Sequence, residues 1–167
     1  LRANVKNGDI LFCTGLFGNS FASGRHLSFK PRLEEAQFLA GRFTRAMIDV
    51  SDGLLKDARR MAEASQLSLK LDAASIPQAP GANLKAALTE GEDYELLFAV
   101  PAASANGLQK LWPFKDTPLA RIGTFETGEA GKVYDSNKKL LRVENCGFDH
   151  FKRNKKSSGA RRRRRKI

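Results

Sequence analysis

The sequence has few residues of the kinds that build cross-links, zinc sites or membrane spans. Its two cysteines, Cys13 and Cys146, lie far apart and have neither a CxxC spacing nor a paired histidine. A disulfide framework and a zinc site are therefore not indicated. No apolar stretch approaches the roughly 20 residues that span a bilayer, and residues 1–10 lack the apolar core of a secretory signal. We expect a cytoplasmic protein without a membrane partner.

Motifs for two common kinds of catalysis are also missing. No GxxxxGK[ST] run is present, so a Walker-type phosphate loop is excluded, and the glycines of TGLFG at 14–18 are more typical of a turn. The two histidines, His26 and His150, have no partners at metal or triad spacing. A histidine-based nucleophilic mechanism is therefore poorly supported.

Charge is distributed unevenly along the chain. The sequence has 29 Lys and Arg against 18 Asp and Glu, and residues 152–167 hold ten of the basic residues and none of the acidic ones. Residues 1–151 are thus nearly neutral, and we expect them to form one folded domain followed by a disordered basic tail. The tail is either a solubilising appendage or an arm that binds polyanions weakly, and it has no aromatic residue to stack bases.

Apolar runs and helical periodicities alternate through residues 1–151, which predicts an α/β or α+β domain with a single sheet, some of it antiparallel, covered by helices. Strands are predicted at Asp9–Thr14, Ala46–Val50, Leu67–Asp72, Tyr94–Val100 and Leu119–Phe125, with a hairpin at Lys132–Val143. Helices are predicted from Pro31 to about Phe43, from Leu54 to about Ser65, and at Ala82–Leu88 and Ala102–Leu111.

The densest polar group is IDVSDG at 48–53, where Asp49 and Asp52 flank Ser51 at the end of a predicted strand. Mg²⁺ prefers hard oxygen ligands and usually takes one or two carboxylates together with water and substrate phosphates. Asp49 and Asp52 suit that role better than they suit zinc. The alternative is structural: Ser51 is the N-cap of the following helix, and Asp52, in the first turn, interacts favourably with the helix dipole.

A second acidic group, TEGEDYELLF, covers residues 89–98. Glu92 follows Gly91 and is best placed to accept a hydrogen bond from a cationic or amine-bearing ligand. The neighbouring acids are more easily left to solvent. The alternative is that all of them are solvated loop or edge residues that discourage strand aggregation.

Together these stretches resemble a known family. The sequences GDILFCTG, HLSFKPRLEEAQFLA, AMIDVSDGLLKD, GEDYELLF, ARIG and GFDHF follow the order and approximate spacing of the carboxyl-terminal half of thiamine-monophosphate kinase, in the aminoimidazole-ribonucleotide-synthetase-like superfamily. The resemblance covers nearly all of residues 7–151. It implies the fold of that superfamily's C-terminal domain and a Mg²⁺-dependent transfer of the ATP γ-phosphoryl group to thiamine monophosphate, which gives thiamine diphosphate.

By matching motif positions, the resemblance implies a role for five residues. Asp49 and Asp52 would bind magnesium ions, Ser51 would contact ATP, and Glu92 would contact the substrate. Phe148 would lie against the thiamine rings, and the cationic thiazolium makes an aromatic contact physically reasonable.

The chain departs from the family pattern in two ways. Glu90 stands where the family usually has a glycine before Gly91, and the chain begins where the family's second half begins. The first half carries, in that family, most of the acidic metal ligands and ATP contacts. We therefore expect kinase activity only with a supplied amino-terminal half or a homodimer partner. The alternative is a non-catalytic ligand-binding or scaffold domain.

Overall fold

The computed structural model describes residues 2–142. Phe148, Cys146 and the basic segment 152–167 lie outside the described residues, so the predicted domain boundary and tail stay predictions. Among the described residues, none of the helices has both the length and the apolar character needed to cross a membrane.

Six strands form one mixed sheet in the order β2-β4-β1-β5-β3-β6. All neighbouring pairs are antiparallel except β3 and β6, which are parallel. The predicted single mixed sheet is confirmed, and most of it is antiparallel. The strands are β1 Ile10–Thr14, β2 Ala46–Asp49, β3 Ser68–Leu71, β4 Leu96–Val100, β5 Leu119–Glu126 and β6 Val133–Tyr134.

Helices cover both faces of this sheet. Helices α2 and α3 pack in one apolar core, and α1 and α4 pack in a second core on the opposite face. Short 3-10 turns occupy Arg25–Leu27 and Ala73–Ser75. The α-helices are α1 Leu33–Leu39, α2 Leu54–Ala64, α3 Leu84–Thr89 and α4 Ala102–Leu111.

Strand β4 is apolar throughout and β1 is apolar up to Thr14, because both faces of these strands are covered. In β1, Leu11 and Cys13 contribute to one core while Ile10 and Phe12 contribute to the other, as the two-residue period of a strand requires. Cys13 is fully buried and acts as a small apolar residue of the core.

The predicted end of the first helix differs from the observed one. The helix predicted to reach Phe43 ends at Leu39, because Gly41 adopts a φ of 72° and the chain turns there. Phe43 still enters the core, but from the turn after the helix. The predicted hairpin is present within the described residues: Tyr134 bridges Leu140 in antiparallel fashion.

Candidate functional site

Antiparallel pairing of β2 and β4 brings the two acidic motifs together. The carboxyl end of β2 lies beside the amino end of β4, with Asp49 opposite Leu96. Residues 50–51 follow β2 and residues 92–95 precede β4, so the two loops continue the ladder beyond the strands. Three backbone hydrogen bonds join them, from Val50 N to Glu95 O (2.8 Å), from Tyr94 N to Val50 O (2.9 Å) and from Glu92 N to Ser51 O (2.8 Å).

Asp49 is exposed at this end of β2, and its side chain forms no hydrogen bond or ion pair with any described residue. Ser51 is half-buried, and no described partner bonds its hydroxyl. Both side chains are therefore free, within the described part of the chain, to meet a ligand at the end of the sheet.

Asp52 has two cationic neighbours on the first two turns of α2. Its Oδ2 lies 2.6 Å from Arg60 Nη2 and 3.3 Å from Lys56 Nζ. Partial burial acts to raise the pKa of Asp52, but hydrogen bonds from Arg60 and Lys56 outweigh it and hold that pKa below its ordinary value. Asp52 is therefore ionised, and it is compensated by protein cations.

The loop of residues 51–52 is held by a buried carboxylate that the sequence did not single out. Asp57 Oδ2 accepts hydrogen bonds from Ser51 N (3.2 Å) and Asp52 N (3.0 Å), and Asp57 Oδ1 accepts one from Arg60 Nη1 (2.6 Å). Burial raises the pKa of Asp57. An acidic residue in the first turn of a predicted helix was the available signal, because its side chain can reach back to free amides.

The prediction that Ser51 is an N-cap is wrong. Helix α2 begins at Leu54, its N-cap is Gly53 with a φ of 114°, and no side chain caps it. Asp52 likewise precedes the helix and is not part of its first turn. The structural alternative for the IDVSDG motif, a Ser51 N-cap with Asp52 in the first turn of the helix, is therefore wrong.

Gly91 allows the second loop to lie against the first. A Cβ at position 91 would overlap the carbonyl oxygen of Ser51. Because that contact is with the backbone, a larger residue requires the two loops to move apart. Gly91 thus acts here through close packing.

Glu92 is half-buried, and its backbone is held on both sides. Its amide donates to Ser51 O, and its carbonyl accepts a hydrogen bond from Ser20 Oγ at 2.7 Å. Its carboxylate has no hydrogen-bond partner among residues 2–142. Glu92 therefore combines a fixed backbone with a carboxylate that has no partner among residues 2–142, and its contact with a ligand stays a prediction.

The expectation that the neighbouring acids are solvated is wrong for Asp93 and Glu95, which are only 3% and 4% exposed. β4 is an interior strand, so these residues are not edge residues that discourage aggregation. Glu90, which is exposed, accepts a hydrogen bond from Asn19 N at 2.5 Å.

Asp93 accepts hydrogen bonds from Gly18 N at 3.1 and 3.2 Å and pairs with Arg25 Nη2 at 2.6 Å. Burial raises the pKa of Asp93 to about 6, and Glu95 acts in the same direction, while Gly18 and Arg25 act to lower it. Gly18 belongs to the TGLFG stretch, so the turn that this stretch forms provides the amide that binds the Asp93 carboxylate.

Both carboxylate oxygens of Glu95 are bound by one edge of a single guanidinium. Arg32 Nε and Nη2 each lie 2.8 Å from a Glu95 oxygen, and Thr14 Oγ1 donates to Glu95 Oε2 at 2.8 Å. Hydrogen bonding by Glu95 raises the pKa of Arg32, against the opposing effect of partial burial. Arg32 therefore stays charged in this geometry.

The donor chemistry at this end of the sheet fits magnesium in part. Asp49 and Asp52 supply hard carboxylate oxygens, the type that Mg²⁺ takes in small number beside water and phosphate oxygens. The described residues include no group of three or more His, Cys, Asp or Glu that could hold a metal. A magnesium ion held by these two carboxylates would need further ligands from substrate or from another segment.

Comparison with known proteins agrees with this architecture. The family model for AIR synthase related protein, C-terminal domain, matches residues 9–136. The thiamine-monophosphate kinase of Rhodopirellula baltica is 35% identical over 164 residues, which cover 90% of this chain and 50% of that protein. This chain spans about half the length of the curated relatives it matches.

Solved structures give the same result. Thiamine-monophosphate kinase from Stenotrophomonas maltophilia superposes with a TM-score of 0.72 at 26% identity, over 84% of this chain and 53% of the other. AaThiL complexed with AMPPCP and TMP superposes with a TM-score of 0.68 at 28% identity, over 90% of this chain and 53% of the other. The chain belongs to the family of AIR synthase related protein C-terminal domains, and its relatives are thiamine-monophosphate kinases, of which it corresponds to the carboxyl-terminal part.

Proposed function

We propose that this chain is the carboxyl-terminal segment of a Mg²⁺-dependent kinase that transfers the ATP γ-phosphoryl group to thiamine monophosphate. One observation carries the proposal: antiparallel pairing of β2 and β4 sets Asp49, Ser51 and Asp52 beside Glu92 at one end of the sheet. The kinase relatives and the AaThiL complex with AMPPCP and TMP support it.

The proposed reaction requires the protein mainly to bind ATP and thiamine monophosphate and to align their phosphates. The phosphate of thiamine monophosphate is already an anionic nucleophile, so no side chain must act as a general base. Asp49 and Asp52 would hold magnesium, Ser51 would contact ATP, and Glu92 would contact thiamine monophosphate. Bound magnesium supplies neutralisation of the phosphate charges. Phe148, outside the described residues, would supply an aromatic surface for the thiamine rings.

Because the chain spans about half of its relatives, the proposal includes a second contributor. An amino-terminal half, present as another segment or as a separate or partner chain, would supply the remaining ligands for metal and ATP. The two carboxylates of this chain are an incomplete set, which is consistent with that requirement.

The test is thiamine diphosphate formation from ATP, Mg²⁺ and thiamine monophosphate, followed by chromatography. The chain is assayed alone, and then together with the separately produced amino-terminal half of the Rhodopirellula baltica relative. We expect turnover in the mixture only. A folded mixture that forms a complex yet gives no thiamine diphosphate contradicts the proposal.

A second candidate is a non-catalytic ligand-binding or scaffold domain. The pairing of Asp52 with Arg60 and Lys56 favours it, because protein cations occupy the carboxylate that a metal would use. Calorimetric titration with thiamine phosphates, ATP and Mg²⁺ separates binding from scaffolding. Turnover by the reconstituted mixture excludes both versions.

A further inference from the structure

The segment Arg25–Arg32, which consists of Arg25 and the HLSFKPR stretch at 26–32, has no part in the proposed reaction. Nevertheless, its two terminal arginines reach the loop that carries Glu92. Arg25 pairs with Asp93, immediately after Glu92, and Arg32 pairs with Glu95 two residues later. The segment therefore contacts the loop at two separate points.

Backbone conformation alternates along this loop. Glu92 and Tyr94 have φ angles of 62° and 53°, a region that residues other than glycine rarely adopt. They are half-buried, whereas Asp93 and Glu95 are buried. The loop thus directs two carboxylates inward and leaves Glu92 and Tyr94 nearer the surface.

Left-handed conformations at non-glycine residues persist only where several contacts with the surrounding structure fix the backbone. Hydrogen bonds hold the amides of Glu92 and Tyr94 to the loop after β2. These bonds do not explain why the side chains of Asp93 and Glu95 are buried. Each inward carboxylate pairs with one guanidinium, so the two arginines hold the residues that alternate with Glu92 and Tyr94.

Arg25 links this loop to the turn after β1. Its Nη1 donates to Leu16 O at 2.9 Å, and its Nη2 contacts both Gly18 O, at 3.4 Å, and Asp93 Oδ1, at 2.6 Å. The same turn donates Gly18 N to Asp93. A lysine ammonium at this position keeps the charge but cannot reproduce a planar fork that spans three acceptors.

Arg32 does the same from the start of α1. Its two-point contact with Glu95 is joined by a hydrogen bond from Arg32 Nη1 to Thr117 Oγ1 at 3.2 Å. Thr117 Oγ1 in turn donates to the buried Glu35 at 2.9 Å. Glu95 is therefore fixed by a network that includes α1 and the loop before β5.

We propose that Arg25 and Arg32 are positioning residues: by holding Asp93 and Glu95 inside the protein, they fix the backbone that presents the Glu92 carboxylate to the substrate. This role rests on the proposed function, in which Glu92 contacts thiamine monophosphate. The segment Arg25–Arg32 then affects substrate binding indirectly, through the backbone at Glu92.

Hydrogen exchange on the full chain tests the positioning role independently of catalysis. In Arg25→Lys and Arg32→Lys we expect the amides of Glu92 and Tyr94 to exchange at least about tenfold faster, while amides of β1 keep their protection. Arg59→Lys, at an exposed position of α2, is the matched control. If Arg25→Lys does not fold, Asp93→Asn removes its ion pair at nearly constant volume, and Glu95→Gln does the same for Arg32. Unchanged exchange in folded variants overturns the proposal.

Kinetics of the reconstituted mixture test whether the arginines act through Glu92. We expect Arg25→Lys to raise KM for thiamine monophosphate about fivefold or more and to leave KM for ATP unchanged, with an effect below about twofold in a Glu92→Gln background. A purely structural role instead gives additive effects and changes both KM values, which overturns the proposal. If the mixture has no turnover, the proposed function fails, and the exchange comparison alone decides the positioning role.

Discussion

Arg60 and Asp52 form an ion pair with 2.6 Å between Nη2 and Oδ2, so a proposed magnesium ligand already has a cationic partner. Lys56 approaches the same oxygen at 3.3 Å. A metal ion at Asp52 must compete with both side chains. The pair therefore links metal binding to the conformation of two residues of α2.

We predict that Lys56→Met strengthens Mg²⁺ binding by the chain by up to about fivefold. The variant removes one competing cation, and a partly exposed ion pair of this kind contributes about 0.2–1 kcal/mol. Calorimetric titration with Mg²⁺ measures the change, and Lys110→Met, exposed on α4, is the control. Weaker binding in Lys56→Met, or equal gains in both variants, contradicts competition at Asp52.

Gly91→Ala should destabilise the fold by about 1–3 kcal/mol, because the added Cβ overlaps the Ser51 carbonyl and overpacking forces the backbone apart. Gly107→Ala is the matched control. Position 107 lies within α4 with open space around it, so alanine there should stabilise the helix by about 0.5–1 kcal/mol. Urea denaturation measures both. Equal stability of Gly91→Ala and the unmodified chain is the result that contradicts the close packing of the two loops.

The pKa of Asp93 gives a dependence of stability on pH with a defined sign. Its folded-state pKa, raised by burial to about 6 from an ordinary value of 3.8, means that the folded protein binds this proton more tightly than the unfolded chain does. The contribution of Asp93 is therefore complete below pH 3.8 and is lost as the pH rises through about 6.

Lowering the pH from about 7.5 to about 5.5 should therefore raise the unfolding free energy of the unmodified chain by about 0.8 kcal/mol more than that of Asp93→Asn. Urea denaturation of both proteins at the two pH values gives the difference, which cancels the contributions of other carboxylates such as Asp57. A larger recovery in Asp93→Asn than in the unmodified chain is incompatible with the raised pKa.

Much of the secondary structure could be predicted because its signals are local. Helix α4 was predicted with its observed ends at Ala102 and Leu111, since Pro101 stops the preceding strand and begins the helix. Strands β1 and β4 are recognisable as short apolar runs that only an interior strand can bury.

The interior of the site could not be predicted, because its partners are distant in sequence. Asp93 binds Gly18 and Arg25, and Glu95 binds Thr14 and Arg32, over separations of 63 to 81 residues. Local composition shows only a run of acids before an apolar strand. Burial of two of those acids depends on the antiparallel order of β1, β4 and β2, which no local pattern specifies.

The basic segment 152–167 lies outside the described residues and keeps its predicted role. We expect weak binding to RNA or DNA that falls by orders of magnitude between low and moderate salt if about six or more phosphates are engaged. The comparison is between the full chain and a version ending at Phe151, at two salt concentrations. Equal binding by the shorter version assigns any nucleic-acid site to residues 1–151 instead.

The central claim is that Asp49 and Asp52 hold the metal of a thiamine-monophosphate kinase. Its most direct test is the initial rate of thiamine diphosphate formation in the reconstituted mixture with Asp49→Asn and Asp52→Asn, against Glu34→Gln on the exposed face of α1. The account predicts a loss of at least about a hundredfold for each aspartate variant, partly recovered at high Mg²⁺, and an unchanged rate for Glu34→Gln. Aspartate variants as active as Glu34→Gln, with the same Mg²⁺ requirement, would contradict it.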